Sequence, residues 1–238
     1  MIYGAIVAGG TGSRMGADIP KQFLPLGGKP VLIRTIERFL ACESIYTVYV
    51  GVHSDWTERL AEMCRENALD MSRIRIIRGG NDRNGTIFGI VDEIGREHGI
   101  SEEDIIVTHD GVRPFVTVRE IEESISAMSE FGGVTVCAPV KDTILMSESG
   151  RQTDSIPPRE KLFRTLTPQT FRLKLLNDTR HELPGETISA LTDTAGILSA
   201  AKIAVGLVMG SEYNIKLTTP IDMKLGELIL EENEKAEQ

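Results

Sequence analysis

Short β-branched runs alternate along the chain with longer stretches of helical period, and few folds accommodate this besides a mostly parallel sheet with crossover helices. The runs are Tyr3 to Val7, Thr47 to Val52, Arg73 to Ile77, Asp104 to Thr108 and Val134 to Ala138. Between them, apolar residues recur at helical spacing over Val31 to Cys42, Trp56 to Asn67, Thr86 to Glu97 and Val118 to Phe131. The runs are apolar almost throughout, as expected of strands covered on both faces. The architecture predicted is α/β, with a twisted sheet flanked by helices. Ligands of such open sheets bind at the carboxyl ends of the strands, which points to the loops after Val7, Ile77 and Thr108.

The rhythm breaks between Pro139 and Pro168. There Lys141 to Met146 and Thr153 to Pro158 flank Ser147-Glu148-Ser149-Gly150, a pattern that predicts a hairpin projecting from the sheet. Helical period returns at Leu173 to His181 and at Ile188 to Ala201, followed by a strand at Ala204 to Met209 and a last helix after Pro220. No repeat or linker divides the chain, so residues 1–238 read as one domain with an arm at about 139–160, a candidate dimer contact.

Lys and Arg number 26 against 35 Asp and Glu, a net charge of −9 that argues against general affinity for nucleic acid or an anionic membrane. An anionic ligand must then be met by a local basic cluster. Cys42, Cys64 and Cys137 are widely spaced with no C-x-x-C pair, which fits a reducing cytoplasm. The opening Met1 to Ala8 has no basic flank and no long apolar continuation, so it reads as neither signal peptide nor membrane span. The stretch Ala195 to Gly210 is too short to cross a bilayer and contains Lys202.

The first strand runs into Ala8-Gly9-Gly10-Thr11-Gly12-Ser13-Arg14-Met15-Gly16, then Pro20-Lys21-Gln22. Glycines at a strand end let backbone N–H groups approach a phosphate chain, and Arg14 and Lys21 add positive charge to the same loop. Met15 stands where a dinucleotide fingerprint counted from Gly10 requires glycine, and the loop lacks the Gly-Lys-Ser/Thr ending of a P-loop. A second glycine-rich exit, Gly79-Gly80-Asn81-Asp82-Arg83-Asn84-Gly85-Thr86, follows the third strand. The fourth strand ends in Thr108-His109-Asp110-Gly111-Val112-Arg113-Pro114. Three polar loops at successive strand ends describe one cleft. Taken singly, Asp110 could as well cap a turn and pair with Arg113.

Farther on, Lys216 sits between apolar neighbours in a short strand-like run, a poor place for an ammonium unless its head meets an anion. His53, His98, His109 and His181 show no metal-ligand spacing and read as surface residues or supports behind a site. No G-x-S-x-G element occurs, and no cysteine has a catalytic context, so a covalent intermediate is not expected.

These motifs, together with Thr167-Pro168-Gln169 and Asn214-Ile215-Lys216, resemble in order and over Ile2 to about Leu230 the cytidylyltransferases of methylerythritol phosphate and ribitol phosphate. The resemblance implies a Rossmann-like sheet of the nucleotide-diphospho-sugar transferase type with a protruding β-arm. It also implies that CTP and an alditol phosphate give a CDP-alditol and pyrophosphate, assisted by Mg²⁺ or another divalent cation. Arg14, Lys21 and Lys216 match the family's catalytic cations. Ala8, Gly9, Gly10, Thr11, Gly12, Gly80, Asp82 and Thr86 match positions that bind CTP, and Asp110 would lie near the ribose and the metal. Thr143 and Arg159 of the arm would reach alditol phosphate held mainly in a partner's cleft, alongside Arg113 and Thr167, which implies a homodimer with composite sites.

Methylerythritol enzymes usually carry His-Asp-Ala-Ala-Arg-Pro and Thr-Asp-Glu, whereas this chain has Gly111-Val112 before Arg113 and Thr194 after Asp193. Those departures, with Met1-Ile2-Tyr3, Ile106 to Asp110 and Ile215 to Pro220, look more like the ribitol branch and favour D-ribitol 5-phosphate as acceptor, its CDP product being of use in cell-wall polymer (teichoic acid) synthesis. The Leu162-Phe163-Arg164-Thr165-Leu166 segment favours the alternative, 2-C-methyl-D-erythritol 4-phosphate of isoprenoid precursor synthesis. Two remoter readings are a nicotinamide-dependent oxidoreductase, disfavoured by Met15, and a non-catalytic nucleotide-binding protein, disfavoured by Arg14, Lys21 and Lys216 occurring together.

Overall fold

The computed structural model describes residues 1–10 and 19–236. Its main sheet contains β1 (Ile2–Ala8), β4 (Thr47–Val52), β5 (Ile74–Arg78), β6 (Ile105–Asp110), β7 (Gly133–Pro139), β8 (Phe163–Arg172) and β9 (Val205–Met209), in the order β5-β4-β1-β6-β8-β7-β9. Each parallel crossover follows the sequence rhythm. A small antiparallel pair, β2 (Pro25–Leu26) and β3 (Lys29–Pro30), stands outside it.

Alternation along each strand sends side chains to two cores. Ile6, Val48, Val50, Val52 and Val107 pack against α1 (Val31–Ala41), α2 (Thr57–Glu66) and α4 (Val118–Ser126). Tyr3, Ala5, Tyr49 and Ile106 point the other way, against α3 (Arg83–His98), α5 (Leu173–Glu182) and α7 (Ala195–Ala200). Period-two burial on both faces is why these strands read as continuous apolar runs. β1 lies between β4 and β6, both parallel to it, with Ala8 opposite Val52 and Val7 opposite Asp110. The chain first winds outward through β4 and β5 and then returns to the far side of β1. That reversal opens a crevice at the carboxyl end of β1.

The expected helix from Ile188 to Ala201 is two pieces, α6 (Gly185–Ala190) and α7. Asp193 accepts from the Gly196 amide (2.9 Å) and the Thr194 amide donates to Gln169 (3.1 Å), so side chains displace helical bonds at the break. The helix predicted to Phe131 stops at Ser126 and tightens into a 3₁₀ turn, Ala127–Ser129. The expected hairpin is thinner than predicted. The Val140 amide donates to the Leu162 carbonyl at its base, and above that only Met146 and Ser155 form a β-bridge. Pro157 and Pro158 carry no N–H for a longer ladder, and two strands alone are marginal in water.

β8 lies inside the sheet, antiparallel to β6 and β7, although its polar sequence does not read as a strand. Pro168 is accommodated because the β7–β8 register shifts between Thr135 and Cys137, leaving it beside a bulge rather than in a regular ladder.

After β9 the chain turns at Ser211–Asn214 and continues without strand pairing to α8 (Pro220–Ala236). Glu120 of α4 holds this segment. Its carboxylate completes a capping box with Thr117 and accepts from the Ser211 amide (2.8 Å) and Asn214 Nδ2 (3.4 Å). The substitution Glu120→Ala removes several hydrogen bonds to a buried charged group, and urea denaturation should show a loss of about 2–3 kcal/mol.

Candidate active site

A cavity of about 210 Å³ opens over the end of β1. Ala8, Gly9 and Gly10 form one wall. The buried Gln22 amide donates to the carbonyls of Ala8 (2.6 Å) and Gly10 (2.9 Å), which fixes the path of the chain leaving β1. Phe23 stacks on Trp56 at 4.2 Å between centroids. Lys21, preceding these two anchored residues in a 3₁₀ turn, lines the cavity. Thr11, Gly12 and Arg14 lie outside the described residues.

The facing wall comprises Gly80, Asn81, Asp82, Arg83 and Thr86. The Thr86 hydroxyl accepts from the Gly80 amide (3.0 Å) and donates to the Asp82 carbonyl (2.8 Å), while the Asp82 carboxylate caps α3 by accepting from the Gly85 amide (2.7 Å). A Cβ on Gly80 would fall 2.5 Å from the Gly85 carbonyl carbon, so the loop closes only with glycine there. Asp82 and Thr86 thus reach the cleft, as the sequence implies, but their polar atoms shape the loop.

Asp110 forms the floor. Its Oδ1 accepts from Arg83 Nε (3.0 Å), and its Oδ2 from Lys216 Nζ (3.0 Å) and Arg113 Nε (3.3 Å). Burial alone would raise the pKa of this carboxyl, but Arg83, Lys216 and Arg113 hold it far below the usual carboxylate range. Arg83 also donates to the Thr194 hydroxyl (2.6 Å), and its Nη2 is buried with no partner. Cations outnumber carboxylates around the cleft, which therefore favours a polyanion. Lys216 arrives on extended chain rather than the expected strand, held where the Leu217 amide donates to the Val112 carbonyl (2.9 Å).

Arg113 and Thr167 lie behind Asp110 and are almost wholly buried. Arg113 Nη1 donates to the Asn214 carbonyl (2.8 Å), and Asn214 Nδ2 donates to the Thr167 carbonyl (2.7 Å). Thr143 and Arg159 sit on the exposed arm, where Arg159 donates to the Lys141 carbonyl (2.9 Å), and neither lines this cavity. The structure gathers Ala8, Gly9, Gly10, Lys21, Gly80, Asp82, Thr86, Asp110 and Lys216 around one cleft. It adds Arg83 and Gln22, which the sequence showed only as members of motifs. Their signal was a polar side chain next to a glycine loop.

Residues 2–232 match the family described as 2-C-methyl-D-erythritol 4-phosphate cytidylyltransferase. The chain belongs to that family. It is accordingly a nucleotidyltransferase of the CTP-dependent, cytidylyl-transferring kind. Its fold resembles that of a 4-diphosphocytidyl-2C-methyl-D-erythritol synthase from Anaerococcus prevotii, with 23% identity, a TM-score of 0.81 and coverage of 97% of this chain and 96% of that one. It also resembles the 2-C-methyl-D-erythritol 4-phosphate cytidylyltransferases of Francisella tularensis (23% identity, TM-score 0.78, 95% and 98% coverage) and Thermus thermophilus (23%, 0.70, 96% and 98%).

The expected preference for ribitol 5-phosphate finds no support in these comparisons, which favour the methylerythritol alternative. Two of the residues that suggested ribitol have structural work in this family member. Val112 packs with Leu217 and Phe115, and Thr194 is buried beneath Arg83.

Among the described residues no group of three or more His, Cys, Asp or Glu could hold a metal ion. Asp110 Oδ1, with one cation partner, retains a lone pair for one further contact. No described helix is long and apolar enough to cross a membrane.

Burial, reinforced by the neighbouring Arg113 and Arg83 charges and opposed by Asp110, lowers the His109 pKa from 6.5 to about 4. The stability conferred by a neutral ring is present in full above pH 6.5 and is lost as pH falls toward 4. That loss amounts to about 3 kcal/mol. Urea midpoints measured from pH 7 down to 4 should show this decline, and His109→Gln should lack it.

Proposed function

We propose that the chain transfers the cytidylyl group of CTP to 2-C-methyl-D-erythritol 4-phosphate. The observation that carries this reading is the cationic cleft between two glycine loops, in a chain matched to that family over residues 2–232. A phosphate oxygen of the acceptor attacks the α-phosphorus of CTP. The bond from that phosphorus to the bridging oxygen breaks, and pyrophosphate leaves in line. Such a step requires positioning and charge neutralisation, with no protein nucleophile.

Backbone of the Ala8–Gly10 and Gly80–Asp82 loops holds the nucleotide. Lys21 and Lys216, with Arg14 from outside the described residues, neutralise the phosphates as charge builds on the α-phosphate oxygens. A bound divalent cation would neutralise and align the triphosphate, with Asp110 its protein contact. Thr143 and Arg159 serve the acceptor phosphate of the partner's cleft in a homodimer. The exposure of Ile144, Leu145, Met146 and Ile156 on the arm supports that pairing. Arg113 and Thr167 act on the acceptor through Asp110, since both are held behind it.

Pyrophosphate release from CTP and Mg²⁺, with ribitol 5-phosphate and 2-C-methyl-D-erythritol 4-phosphate in parallel, tests the acceptor. Turnover should favour the methylerythritol substrate; preference for ribitol phosphate would reverse the assignment. Lys21→Ala should lower kcat by about 10²–10³-fold while the protein stays folded, and undiminished turnover would remove Lys21 from this role. Mixing Lys21→Ala with Arg159→Ala should restore roughly a quarter of wild-type activity through mixed dimers. No recovery after subunit exchange would show that the sites are not composite.

A further inference from the structure

His109, wholly buried at the end of β6, closes a ring of hydrogen bonds around Asp110. The ring contacts the Arg113 carbonyl at Nε2 (3.1 Å) and the Thr167 hydroxyl at Nδ1 (2.8 Å). A carbonyl only accepts, so Nε2 carries the hydrogen; in the neutral imidazole Nδ1 is then bare, and the Thr167 hydroxyl donates to it. Thr167 Oγ in turn accepts from the Asp110 amide (3.3 Å), and Arg113 Nε returns to Asp110 Oδ2 (3.3 Å). The hydrogen bonds run one way, from the Asp110 backbone through Thr167, His109 and Arg113 to the Asp110 side chain. Phe39 packs against the ring at 5.1 Å between centroids.

We propose that His109 is a positioning residue for the transfer reaction, one that fixes the Asp110 carboxylate and through it Lys216, 3.0 Å away. This rests on the role assigned above to Lys216. Loss of the imidazole opens the ring at two places, frees Thr167 to rotate and lets the Arg113 backbone drift. Lys216 then leans on an anion that is no longer fixed. Because Lys216 meets charge that grows in the transition state, the defect belongs in kcat more than in the KM for CTP.

The test is steady-state pyrophosphate release by His109→Leu, His109→Asn, His109→Gln and Thr167→Val, each checked for folding by circular dichroism. His109→Leu should lose about a hundredfold in kcat with the KM for CTP changed by less than about threefold. Asn can replace the Nδ1 acceptor and Gln the Nε2 donor, so each should recover part of the loss. Adding Thr167→Val to His109→Leu should cost little more, because the ring is already open. Folded His109→Leu with wild-type kcat, or full multiplication of the two losses, overturns the proposal. If the leucine variant does not fold, wild-type kcat in both Asn and Gln variants overturns it. A wild-type enzyme silent with both acceptors, or a Lys216→Ala variant of undiminished kcat, instead overturns the functional reading and removes the ground for the proposal.

Discussion

A single buried carboxylate met by three cations organises this molecule. Asp110 could not remain ionised at the end of β6 without Arg83, Arg113 and Lys216, and those cations could not lie so close together without Asp110. The arrangement is deliberately unbalanced. Positive charge exceeds what one carboxylate can neutralise, so the free cleft carries the electrostatic stress that an anionic ligand relieves. Binding energy and active-site geometry therefore share one source.

The fold provides that cluster with stiff supports. Asp110 is the last residue of a strand paired on both sides, with β1 and β8 as neighbours. Arg83 opens the first turn of α3, whose start is capped by Asp82, and its neighbour Asn84 donates to the Ile188 and Leu191 carbonyls at the end of α6. Gln169, in the middle of β8, donates to Asp193 (3.0 Å) and accepts from the Thr194 amide (3.1 Å). A polar layer thus runs through the sheet beneath the cleft. Its groups are mostly satisfied, and such networks rigidify what they connect.

The parallel half of the sheet was legible because strands buried on both faces leave short apolar runs set off by glycine and polar loops. Val48, Val50 and Val52 against Tyr49 show the pattern directly. β8 was illegible for the opposite reason. Thr167, Gln169 and Thr170 are buried as hydrogen-bond partners rather than as apolar surface, and Pro168 is a sign against strand unless the register shift at that point of β8 is known. The glycine loops and Lys216 stood out as a candidate anion site, since glycine at strand ends and a lysine among apolar neighbours both need an explanation. His109 gave no such sign. Its importance comes from Thr167, 58 residues away, which no local pattern connects to it. The preference for ribitol phosphate leaned on Val112 and Thr194, which pack against Leu217 and Phe115 and support Arg83 respectively.

Lys216 comes far later in the chain than Arg83, Asp110 and Arg113, and β8 enters the sheet only after β6 and β7 exist. A ribosome delivers these parts in order. Until residue 216 has left the exit tunnel, Asp110 lacks one of its three partners and the nascent cleft cannot take its final form. Placing a charge partner so late ties the complete cluster around Asp110 to near-complete synthesis: a shorter chain can hold Arg83, Asp110 and Arg113 and still lack Lys216.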